Sequence, residues 1–240
     1  MLEIACFTPS SALKAATHGA DRIELCAHYS LGGLTPPIQD LLSMRNQLPP
    51  HIPINIMIRP RAGNFFYSTA EFESMRHSIA LFAPLASGFV FGILDGHGRV
   101  DVARNSELVD IAAPLACTFH RAIDEIPAEE VHDAVEKVVA CGFKSLLTSG
   151  GGKNAEEGID VVKRLREKFG TRIEVVMGGG VRSGNVGSLK RRAGVEWIHS
   201  AAITGEGEEV DGEEVRRIKE VDDEGGMDGC GNRDQEVGDG

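Results

Sequence analysis

The chain has 240 residues, is 42% hydrophobic and carries a formal net charge of −11. That apolar content supports a core and excludes global disorder. No run of about eighteen apolar residues is present to span a membrane, and no clustered basic face offers a nucleic-acid footprint. The charge is localised: after Thr204 there are fourteen acids against four bases, −10 of the −11, so the preceding body is nearly neutral. The start, MLEIACFTPS, lacks the basic region and long apolar segment of a secretory signal. Five cysteines (Cys6, Cys26, Cys117, Cys141 and Cys230) show no CxxC spacing, and an odd count argues against a disulfide framework. Together these point to a soluble cytoplasmic protein.

In chain order, short apolar runs read as strands at Leu2–Cys6, Arg22–Cys26, Ile54–Ile58, Gly88–Ile93, Leu115–Phe119, Lys144–Thr148, Ile173–Met177 and Val195–His199. Such runs are typical of parallel strands covered on both faces. Between them, helical patterns cover Ser10–Gly19, Ile38–Leu48, Ala70–Ala83, Val102–Ala112, Ala128–Cys141, Ala155–Phe169 and Ser183–Arg192, with Val210–Val221 as an eighth. Alternation at this period implies parallel βαβ units, and eight units in one domain predict a (β/α)8 TIM-type barrel. An open doubly wound sheet is the alternative; eight-fold repetition with no sequence left for a second domain favours closure. Residues 1–204 are assigned to the barrel core and 205–222 to a short final helix. Residues 223–240 are assigned to an acidic, Gly-rich tail whose composition predicts disorder.

Active sites in such barrels lie at the C-terminal ends of the strands, and the titratable residues of this chain gather there. ADRIELC ends strand two with Glu24 and Cys26, which alternation puts on one face; Ile23 and Leu25 then face the helices. Strand three ends in Met57, Arg59 and Arg61, strand five in His120 and Arg121, and strand eight in His199 and Ser200. His120 is a candidate general acid–base because its ordinary pKa is near neutrality. Glu24 is a candidate base. Arg59 and Arg121 are candidate anion clamps, with Arg61 a weaker one because it lies farther along the loop. Two glycine turns, Ser149-Gly150-Gly151 after strand six and Gly178-Gly179-Gly180 after strand seven, let backbone amides approach an anion, with Arg182 and Asn185 nearby to close the site. The bland reading of each glycine run is a tight turn.

The segments ADRIELC, GGLTP, MIRPRAGNFFYS, VFGILDGHGRVD, TFHRAID, LLTSGGG, MGGGV and IHSAA run in order from Ile4 to Ala202 and resemble the CutC copper homeostasis family. The resemblance implies a TIM barrel, a cytosolic location, assembly into a dimer or tetramer, and a copper ion as cofactor or cargo. Cu(I) prefers thiolate, thioether and imidazole, so Cys26, Met57, His120 and His199 are the candidate metal ligands. Cys6 could join them, and Cys117 shares whichever face Phe119 takes. No pair has chelating spacing, so a copper site would be assembled across strands. The remaining strand-end residues describe something different: an enzyme (lyase, isomerase or hydrolase) for a small phosphorylated or carboxylated metabolite. After Ala202 the resemblance fades, which predicts a short last helix and weaker cover where strands eight and one meet.

Overall fold

The computed structural model describes residues 1–227. Eight parallel strands form a closed barrel in sequence order: β1 Leu2–Cys6, β2 Arg22–Leu25, β3 Ile54–Met57, β4 Gly88–Phe91, β5 Ala116–Phe119, β6 Ser145–Thr148, β7 Glu174–Met177 and β8 Trp197–Ser200. The helices are α1 Pro9–Thr17, α2 Ile38–Arg45, α3 Thr69–Phe82, α4 Val102–Ala112, α5 Val131–Ala140, α6 Ile159–Phe169, α7 Val186–Ala193 and α8 Gly212–Met227. Local chemistry starts several of them. Thr8 caps α1 by accepting from the Ser11 amide ahead of Pro9 in the first turn, and Ser68 with Glu71 forms a reciprocal capping box on α3. No helix among the described residues is long and apolar enough to cross a membrane.

Alternation along each strand divides the core in two. Ile4, Ile23, Leu25, Ile54, Ile56, Phe89, Phe91, Phe119 and Ile198 pack outward under the helices. Positions of opposite parity point into the barrel, where Leu147, Val176 and Trp197 form one apolar layer and Ala5, Cys26, Met57 and Val90 another near the mouth. Cys6 and Cys117 fall in the outward, helix-facing layer. Cys117 thus shares the face of Phe119, and Cys6 does not join the inward group.

The last helix is longer than its composition suggests. It covers the first residues assigned to the tail, because Val215 and Ile218 are fully buried. Asp222, buried in turn, pairs with Lys190 of α7, while Lys219 pairs with Asp21 at 2.9 Å. The seam between β8 and β1 is therefore covered. The rest of the expected tail, Cys230 included, lies outside the described residues. Helices α5, α6 and α7 begin three or four residues later than the sequence pattern suggests, because the strand-end loops before them run longer.

Candidate functional site at the barrel mouth

Strand register assembles a row of charged groups across β2, β1 and β8. Glu3 stands level with Arg22 on one side and His199 on the other. Its carboxylate accepts from Arg22 Nε at 2.5 Å and from His199 Nδ1 at 2.8 Å. These partners overcome the cost of burial and hold Glu3 at about 2. The far nitrogen of His199 lies 3.4 Å from Glu24 Oε2. Burial alone would lower the His199 pKa, but the Glu24 and Glu3 carboxylates reverse that and raise it.

Glu24 sits beside the small Ala5, which leaves space next to its carboxyl. It is 2% exposed, and its Oε1 has no hydrogen-bond partner. Burial pushes its pKa up to about 7, against the pull of His199. Glu24 and Cys26 both line the mouth, while Ile23 and Leu25 face the helices, as alternation requires.

His120 is held differently from a histidine poised to titrate. The Ala122 amide donates to Nδ1 at 3.3 Å, so in the neutral ring the proton lies on Nε2. That Nε2 is buried without a partner, and the Phe65 ring packs 4.7 Å from the imidazole. Burial, then the Arg59 charge, lowers the pKa to about 3. His120 is thus a neutral N–H donor at physiological pH. The near-neutral pKa expected from its residue type belongs to Glu24 instead.

Arg59 is 7% exposed and has no carboxylate within ion-pair distance among the described residues. Its guanidinium donates to the carbonyls of Leu31, Gly32 and Gly33 in the loop after β2, and to Gly63 after β3. It ties these two loops over the mouth while leaving its positive charge uncompensated. Gly32 accommodates this at φ +79°, where a Cβ would approach Arg59 Nη1 to 3.2 Å. Arg61 turns away to pair with Glu71 at 2.6 Å.

The two glycine turns differ. After β6, the Ser149 and Gly151 amides and the Ser149 hydroxyl all donate to Asp124, at 3.0, 3.2 and 2.9 Å. Thr148 and Arg121 donate to the same carboxylate. Gly150 is engaged by Thr148 Oγ1 at 2.8 Å. The anion expected on this loop is the protein's own Asp124, placed there by the 3-10 turn Arg121–Glu125. After β7, Gly179 and Gly180 adopt φ of +103° and +75° and line the cavity. Their amides have no acceptor among the described residues. Gly178 is used structurally, donating to Thr148 O. Arg182 donates to Val181 O, Ser200 Oγ and Ile203 O. Asn185 brackets the turn by accepting from the Arg182 amide and donating to Gly180 O.

These groups surround one cavity of about 280 Å³. The four soft candidates for copper are all on its wall, but they do not form one ligand set. His199 has a carboxylate at each ring nitrogen, and His120 has its Nδ1 lone pair on the Ala122 amide while the partnerless Nε2 carries the proton. Cys26 and Met57 remain, with Sγ and Cε both within 4 Å of the space above Gly33. Burial holds the Cys26 thiol well above its ordinary pKa. Among the described residues, the cluster whose ligating atoms lie within 4.8 Å of one another is Glu3, Glu24 and His199. That set is richer in hard oxygen than Cu(I) favours, and Glu3 is already engaged by Arg22. Glu3, Arg22 and Asp124 escaped the reading by strand ends. The signal that could have exposed Glu3 was an acid in the middle of an apolar strand.

Fold and cavity define the class: a TIM-barrel protein with a cavity, lined in part by charged side chains, at the C-terminal end of its strands. Residues 1–204 match the CutC family, and the chain belongs to it. A CutC family protein of Chromobacterium violaceum is 41% identical over 203 residues, covering 84% of this chain and 81% of that one. One from Porphyromonas gingivalis is 39% identical over 201 residues, covering 83% and 79%. The solved structure of a Streptococcus agalactiae protein named for copper homeostasis, CutC, superposes with a TM-score of 0.81 at 29% identity, covering 85% of this chain and 99% of that one. The Pyrococcus furiosus thiamine phosphate pyrophosphorylase, at TM-score 0.62 and 15% identity over 93% and 96%, shares the fold alone.

Proposed function

We propose that the barrel mouth is an acid–base site for a small anionic metabolite, and that this chain serves copper homeostasis through that pocket. The observation that carries the reading is a pair of buried polar atoms, Glu24 Oε1 and His120 Nε2, left without partners in two residues that line one cavity. An unpaired buried polar group costs roughly 1–3 kcal/mol, and a polar ligand that bonds to both removes that cost. A carboxylate beside a neutral N–H donor suits proton transfer next to a carbonyl. Glu24 takes a C–H proton, the carbonyl oxygen gains the negative charge, and His120 Nε2–H donates to it. The proton returns to the adjacent carbon in an isomerase, or a neighbouring bond breaks in a lyase. Arg59 and Arg121 set a positive field around the developing charge, while Glu3 and His199 position the Glu24 carboxyl. The test is proton NMR in D2O with a panel of small phosphorylated and carboxylated aldehydes and ketones. Wild type should exchange a C–H for deuterium in at least one member, and Glu24→Gln in none. No exchange with any member sinks the reading.

Direct copper binding is the second reading, favoured by Cys26 and Met57 sharing the space over Gly33. In it Cu(I) displaces the Cys26 thiol proton, so affinity rises with pH. Competition with a chromogenic chelator under strict reduction should then show one tight site that Cys26→Ser abolishes. A cytosolic location goes with both readings, since the unpaired thiols of Cys6, Cys26, Cys117 and Cys141 suit a reducing compartment. The expected dimer or tetramer is checked by light scattering.

A further inference from the structure

We propose that the anionic group of the ligand is a phosphate, held on the Gly179–Gly180 turn between Arg121 and Arg182, and that the sister turn after β6 takes no ligand. This deepens the preceding reading and rests on it.

The two turns have similar sequences, and each presents glycine amides at the end of a strand. What separates them is occupancy. Asp124 already accepts from the first turn, whereas the amides of Gly179 and Gly180, two residues that line the cavity, have no acceptor among the described residues. The walls of the second turn are cationic. The Arg121 guanidinium carbon lies 3.6 Å from where a Gly179 Cβ would stand, and its Nε is fixed by Asp124 at 2.8 Å. Arg121 Nη2 holds Ser149 Oγ at 2.9 Å, and Nη1 of this cavity-lining residue has no acceptor among the described residues. Opposite, Arg182 is braced by Val181, Ser200 and Ile203 and has no carboxylate partner within ion-pair distance among the described residues.

The chemistry selects a dianion. Arg121 shares its charge with Asp124, but Arg182 is unshared, and Arg59 adds a buried cation from across the pocket. Planar guanidinium forks and bare amides together match phosphate oxygens. Of the acids nearby, Asp124 is saturated with donors, Glu156 is engaged by Asn185, and Glu24, on the wall of the same cavity, has its charge disfavoured by burial. A Cβ at Gly179 would stand 3.0 Å from Ser149 Cβ, and at φ +103° the position favours glycine, so this turn is held close against the loop after β6. Late loops are also where barrels of this kind commonly bind phosphate. The volume of about 280 Å³ equals roughly nine waters. That accommodates a phosphate with a short chain carrying the carbonyl group.

The probe is inorganic phosphate, followed by amide NMR on the full chain. Saturable shifts are expected at Gly179 and Gly180, with Ser149 and Gly151 unmoved. Arg182→Met should weaken binding about ten- to a hundredfold, and Arg182→Lys by less, since it keeps the charge and loses the fork. An unchanged amide spectrum elsewhere verifies the fold of both variants. Acetate should bind more weakly than phosphate. Phosphate shifts at Ser149 and Gly151, silence at Gly179 and Gly180, equal affinity in Arg182→Met, or acetate binding as tightly as phosphate would each overturn the proposal. The outcomes stay separable, because phosphate titration reads the Gly179–Gly180 turn and deuterium exchange reads Glu24. Phosphate binding without turnover therefore condemns the acid–base reading, and turnover without phosphate binding condemns the subsite.

Discussion

Replacing Glu3 by Gln tests the buried charge row with almost no change of shape. The carboxylate serves three donors, Arg22 Nε at 2.5 Å, His199 Nδ1 at 2.8 Å and Asn55 Nδ2 at 3.5 Å. An amide has one carbonyl oxygen, so its NH2 must face one of those donors. With the NH2 towards Arg22, the guanidinium keeps only Glu174 as an acid partner, at 3.6 Å and more exposed; with the NH2 towards His199, the ring loses its Glu3 acceptor. Breaking a buried pair from one side costs about 3–5 kcal/mol. The pKa gives a second route to the same magnitude. Glu3 falls from 4.5 to about 2 on folding, and at about 1.4 kcal/mol per pH unit this corresponds to about 3 kcal/mol. Because the folded pKa is depressed, that stabilisation is complete above pH 4.5 and is lost as pH falls towards 2. Urea denaturation of wild type and Glu3→Gln should therefore differ by about 3–5 kcal/mol at pH 7. The gap should narrow between pH 4.5 and 2. In a melting experiment the shift is roughly 6–20 °C for a chain of this size. In parallel, the His199 ring keeps Glu24 but loses the second of the two carboxylates that raise its pKa, so it should titrate at lower pH by NMR. A difference below about 1 kcal/mol at pH 7, or a gap that does not change with acid, refutes the argument.

Two further substitutions probe the groups around this row. Glu24 shows the opposite linkage: its pKa rises from 4.5 to about 7 on folding, so the folded state holds a proton the unfolded state has released. The Glu24 contribution to wild-type stability should fall by about 3 kcal/mol as pH rises from 4.5 to 7. Glu24→Gln should lack this fall and be the more stable protein above pH 7 in parallel denaturation curves; a variant no more stable than wild type there contradicts it. Asp124→Ala removes the acceptor for Arg121, Thr148, Ser149 and Gly151 together. It should cost about 3 kcal/mol and speed hydrogen exchange at the Ser149 and Gly151 amides, while unchanged exchange would show that the loop holds itself.

The sequence by itself determined the barrel. Eight short apolar runs separated by amphipathic stretches report burial under helices, and that information is local, carried by residues a few positions apart. Alternation likewise placed Glu24 and Cys26 on one face before any neighbour was known. The tertiary structure decided the chemistry, because chemistry depends on what stands across the barrel. Glu3 lies 196 residues from His199 along the chain, and only barrel closure sets them level. No local pattern tells two similar glycine turns apart; a carboxylate from the preceding β-strand loop fills one and leaves the other open. The same holds for protonation. His120 looks like the titrating group by residue type and Glu24 like an ordinary acid, yet desolvation and neighbouring charge, both properties of the assembled mouth, make His120 a neutral donor and bring Glu24 near neutrality.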